Sequence, residues 1–64
     1  MKFLIKDFEL GGHETEVSAP GMAEAMFEYL PWPTLDLLVR HVPSRGFAEV
    51  TDRQTDFRYD VQAI

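Results

Sequence analysis

Pro31-Trp32-Pro33-Thr34-Leu35-Asp36-Leu37-Leu38-Val39-Arg40-His41-Val42-Pro43 is the stretch whose reading decides the fold. Each proline removes an amide donor and restricts the residue before it, so a helix arriving from upstream ends at Pro31 or Pro33. Beyond the break, Thr34 has the side chain of an N-cap. Leu35, Leu38, Val39 and Val42 then recur at the spacing of one helical face. This predicts a second helix from Thr34, ended by Pro43. Leu37 falls about 160° from the centre of that stripe, together with Arg40 and His41, on the side expected to face water.

Working outward toward the N-terminus, Pro20 suits the first turn of a helix. The segment from Pro20 to Leu30 carries Met22, Ala23, Met26, Phe27 and Leu30 as an apolar stripe, with Glu24 and Glu28 opposite. Before it, Lys2 to Leu10 is rich in strand formers, but Phe3 and Ile5 share one parity while Phe8 and Leu10 share the other. A bulge near Lys6 and Asp7 would bring all four to one face. Gly11-Gly12 then reads as a two-residue hairpin turn. The return strand has His13, Thr15, Val17 and Ala19 inward and Glu14, Glu16 and Ser18 outward, with Ile5 facing Val17.

Toward the C-terminus, Ser44-Arg45-Gly46 reads as a turn. Phe47 to Asp52 and Thr55 to Ile64 read as a second hairpin with its turn near Arg53-Gln54. In the predicted register Val50 meets Phe57, Ala48 meets Tyr59, and Glu49 lies opposite Arg58 as an ion pair. The expected fold is α+β: a four-stranded antiparallel sheet in ββααββ order, with a proline-broken helical segment packed on one face. Residues 1–64 form one small domain, with strands in the order 2-1-4-3.

The 64-residue chain has no cysteine and carries 11 Asp and Glu against 6 Lys and Arg, a net charge of -5. A domain this small buries only about 60% of the surface its unfolded chain exposes, so it builds one thin core. Its acidity disfavours nucleic acid and anionic membrane as partners, since both call for a cationic footprint. No apolar run approaches the about 18 residues of a membrane span, and the expected location is cytoplasmic. The charge is also uneven: from Asp7 to Val39 there are acids but no Lys or Arg, and all four arginines lie from Arg40 onward.

No nucleophile motif, phosphate loop or metal-ligand spacing is present, so an enzyme is not expected and no cofactor is implied. A metal or catalytic site built on His13 and neighbouring carboxylates is the weakest alternative. The leading expectation is a non-enzymatic protein-binding module. Glu9, Glu14 and Glu16 would present an acidic hairpin to a protein partner with a basic surface. A concrete form is a phage or mobile-element accessory protein that inhibits a host nucleic-acid-binding complex, in the manner of anti-CRISPR or anti-restriction proteins. Trp32, Leu37 and His41 form a second candidate patch, since aromatic residues are enriched at interface hot spots. The alternative is a structural or regulatory homo-oligomer, such as a homodimer, joined through the Leu37 face or a strand edge.

Overall fold

The computed structural model describes residues 1–31, 36–42 and 46–64. The described elements are β1 (Lys2–Asp7), a 3-10 turn (Phe8–Leu10), β2 (His13–Ser18), α1 (Met22–Tyr29), β3 (Leu37–Val42), β4 (Phe47–Asp52) and β5 (Phe57–Ala63). All five strands form one antiparallel sheet in the order β2-β1-β5-β4-β3. The expected four-stranded ββααββ fold is therefore overturned: the described residues are mostly β, with one short helix among them.

The decisive stretch is a strand. Leu37 to Val42 pairs residue for residue with Asp52 to Phe47, and no bulge interrupts the ladder. The stretch between Pro33 and Pro43 is long enough for a helix of the length of α1, but Val39 and Val42 are β-branched and fit a pleated strand. A strand gains a ladder of hydrogen bonds from β4 at once. The change of period also moves the side chains. Leu37 is half-buried against the core, and Leu38, expected inside, is 59% exposed. The expected solvated Leu37 face does not exist. Trp32, Pro33, Thr34 and Leu35, and Pro43, Ser44 and Arg45, of which the last two belong to the expected turn, lie outside the described residues.

One face of the sheet holds the core. Phe3 and Ile5 of β1, Val50 of β4, and Tyr59 and Val61 of β5 are buried, and Ala25, Met26 and Leu30 close over them from the helical segment. The helix is shorter than predicted, with Gly21 at its N-cap in extended backbone. Phe27, predicted for the buried stripe, is 55% exposed, and Ala23 is exposed with it.

Neither hairpin has its expected register. In the first, Ile5 pairs with Thr15 and Phe3 with Val17. No bulge forms, because Asp7 ends the strand: its Oδ1 accepts the Glu9 amide at 3.0 Å and caps the 3-10 turn. Gly12 closes the loop by donating to the Asp7 carbonyl at 2.9 Å, with Gly11 and Gly12 at φ 68° and 84°. Phe8 and Leu10 are consequently exposed. In the second hairpin Val50 pairs with Tyr59, Ala48 with Val61, and Glu49 with Asp60, a slip of two residues from the expectation. An even slip preserves the faces, so the inward residues stay inward. The turn absorbs the difference: Asp52 accepts the Gln54 amide, and Asp56 adopts φ 64° while donating to the Asp52 carbonyl at 2.7 Å.

Candidate functional site at the sheet edges

Two strands end the sheet, and their edges, unpaired among the described residues, differ in chemistry. In an antiparallel ladder, residues alternate between pointing both backbone groups at the neighbour and pointing both away. The Arg53 amide donates to the Asp36 carbonyl at 2.8 Å, in register with the β3–β4 pairs, which sets the phase. Leu38, Arg40 and Val42 therefore bond to β4, while Leu37, Val39 and His41 turn N–H and C=O outward. On the opposite edge the Ala19 amide donates to the Met1 carbonyl at 2.9 Å, which leaves Glu14, Glu16 and Ser18 of β2 facing outward.

Edge strands are templates for pairing with another chain, and charged side chains are a common protection. The β2 edge has that protection in Glu14 and Glu16, both exposed. The β3 edge carries no carboxylate, and its charged side chain is the exposed Arg40. Leu38 and Val39 are 59% and 43% exposed, no lysine or proline lies within the strand, and Arg40 stands opposite Glu49 of β4. Near one end of β3, on the core side, Met22, His41, Phe47, Ala48, Val61 and Ala63 border an open groove of about 280 Å³.

Among the described residues no helix or strand packs over the sheet face away from α1, which is mixed in charge. Arg58 reaches Glu49 at 3.4 Å and Asp60 at 3.6 Å. Phe8 lies under Lys6 at 5.6 Å and Arg58 at 5.1 Å, a double cation–π contact. Leu4, Lys6, Glu14, Phe47, Asp60 and Gln62 line a shallow hollow of about 250 Å³ there.

Two carboxylates, Asp7 and Asp52, are buried. Asp7 is 6% exposed, and its second carboxylate oxygen accepts the Tyr29 hydroxyl at 2.6 Å, tying the last turn of α1 to β1. The Tyr29 and Tyr59 rings meet edge to face at 6.0 Å. Burial, followed by the Asp7 carboxylate, pushes both phenols up to about 12. Among the described residues no group of three His, Asp or Glu side chains could hold a metal ion.

The sequence candidates fell into two patches, the acidic hairpin and the Trp32, Leu37 and His41 group. Glu14 and Glu16 share the outer side of β2, as expected, with Lys6 across from Glu14. Glu9 is not on a strand with them, since it belongs to the 3-10 turn. Leu37 packs against the core, His41 is exposed on β3, and Trp32 lies outside the described residues. Sequence reasoning missed Leu38 and Val39. Their signal was a short apolar run bracketed by prolines, which is a strand pattern as much as a helical one. No helix among the described residues is long and apolar enough to cross a membrane. Comparison with known proteins finds no matching family model, no matching curated protein and no matching solved structure.

Proposed function

We propose that the protein is a non-enzymatic, cytoplasmic protein-binding module that engages polypeptide by adding a strand to the free edge of β3. The observation that carries this reading is the outward row Leu37, Val39 and His41 on an edge without the carboxylates that guard β2. Strand addition draws affinity from main-chain hydrogen bonds and selectivity from side chains at alternate positions. Val39 and Leu38 supply apolar contacts on the two faces. Both buried carboxylates are engaged, Asp7 by Glu9 and Tyr29 and Asp52 by the Gln54 amide, which supports a non-enzymatic reading. Amide exchange in dilute protein tests the edge. Leu37, Val39 and His41 are expected to exchange near the rates of an unstructured chain, with Leu38 and Arg40 protected by β4. Equal protection of all five at high dilution contradicts the reading.

A second reading rests on Glu14 and Glu16, which are exposed on β2 and make no ion pair among the described residues. They offer an acidic strip to a basic protein surface, as an inhibitor of a nucleic-acid-binding complex from a phage or mobile element requires. Replacing both with Lys is expected to weaken low-salt binding to an oligo-lysine peptide about tenfold, because contacts at an exposed site act within a screening length of about 8 Å. Replacing Glu24 and Glu28 with Lys makes the same change in net charge. An equal loss in that control contradicts a local site.

A further inference from the structure

The strand-edge reading leaves the occupant open, and the pattern of β3 narrows it. We infer that the free edge of β3 pairs antiparallel with β3 of a second copy about a two-fold axis through Val39, joining two five-stranded sheets into one of ten strands. This inference rests on the strand-edge reading and deepens it.

Register comes first. A two-fold axis perpendicular to a sheet keeps each residue on its own face, so opposed residues must share parity and the axis must pass through a residue. Centred on Val39, the pairs are Val39 with Val39, Leu37 with His41, and Leu38 with Arg40. The first two kinds join residues whose N–H and C=O point outward, so every free backbone group of Leu37, Val39 and His41 finds a partner. Moving the axis to Arg40 places two guanidinium groups directly opposite each other. Moving it to Leu38 leaves His41 beyond the end of the opposing strand. Val39 is the one centre within the strand that satisfies both the backbone and the charges.

Packing agrees. On the core face Val39 stands beside the fully buried Val50, so a Val39 pair extends the core across the seam. On the other face each Arg40 keeps its own Glu49 as a neighbour and meets the exposed Leu38 of the second copy, along which its aliphatic stem can lie. The two Arg40 side chains are then diagonal neighbours about 7–8 Å apart at the backbone.

Charge selects this edge for self-contact. Two chains of net charge -5 repel, yet Leu37 to Ala48 contains no acid and includes Arg40 and Arg45. Contact through β2 would instead oppose Glu14 and Glu16 with their copies. A closed two-fold contact is the commonest form of soluble oligomer, and it uses up the exposed edge instead of propagating it.

Sedimentation of the whole chain over a wide range of concentration is expected to show a reversible rise from one chain to two, without larger species. Val39→Lys should weaken that association about tenfold or more, equivalent to about 1.4 kcal/mol, while leaving the circular dichroism of the monomer unchanged. The absence of native cysteine allows a register test. Cα atoms in a hydrogen-bonded antiparallel pair are about 5.5 Å apart, within the span of a disulfide. Oxidised Val39→Cys should link into dimers, whereas Leu38→Cys and Arg40→Cys should link efficiently only when mixed. Glu14→Cys, on the other edge, should remain monomeric. Monomer mass throughout, or equal linking at position 14, overturns the second copy. If the outward β3 amides still exchange freely in that monomer, the open edge survives; if they are protected at high dilution, both readings fail.

Discussion

At the scale of single residues, Asp7 does the most to set the local structure. One oxygen ends β1 by capping the 3-10 turn, and the other holds Tyr29. A hydrogen bond to a charged group contributes about 1.5–3 kcal/mol, so Tyr29→Phe should cost about that much in urea denaturation and loosen the end of α1. Tyr29 and Tyr59 are also the chain's two tyrosines, and burial raises both to about 12 from an ordinary 10. The fold therefore favours their neutral forms. That contribution is complete below pH 10 and is lost as the pH climbs to about 12. Absorbance near 295 nm should show no phenol titrating around pH 10 in the folded protein, with ionisation and unfolding together near pH 12. A tyrosine titrating normally in folded protein contradicts its burial. None of this was legible in the sequence, where Asp7 looked like the site of a bulge. The break in alternation was visible, but whether a chain absorbs it in the strand or in the loop depends on where a cap finds its amide.

At the scale of elements, β3 shows why local periodicity misled. Leu35, Leu38, Val39 and Val42 match a helix, but Leu37 and Val39 also alternate, and only the β4 ladder decides between the two. The inner faces of β4 and β5 were legible because a slip of two residues preserves parity. The slip itself was not, since no glycine marks the left-handed position that Asp56 fills. The exchange of roles between adjacent leucines gives a clean test. Leu37→Asp should destabilise by about 1–3 kcal/mol, and Leu38→Asp should stay within about 0.5 kcal/mol for the monomer. The reverse ranking in thermal melts contradicts the strand assignment. Within β1, Ile5→Ala should cost about 2–5 kcal/mol, as for any large aliphatic residue cut back in a core.

At the scale of the whole molecule, a thin core under α1 leaves the sheet with two dissimilar ends, one guarded by carboxylates and one with exposed Leu38 and Val39 and no acid. The acidity of the chain was legible from composition. Its placement was only partly so, because Glu9 falls in the 3-10 turn and not on a strand as Glu14 and Glu16 do. The apolar end could not be read until β3 was known to be an edge strand. Pairing at that edge is most directly measured by the exchange protection of the Val39 amide as a function of protein concentration. Protection that rises with concentration at Val39, Leu37 and His41 together, while Glu14 and Glu16 stay unprotected, is the expected result. A Val39 amide that exchanges freely at concentrations where the mass has already doubled contradicts it, since the copies must then meet elsewhere.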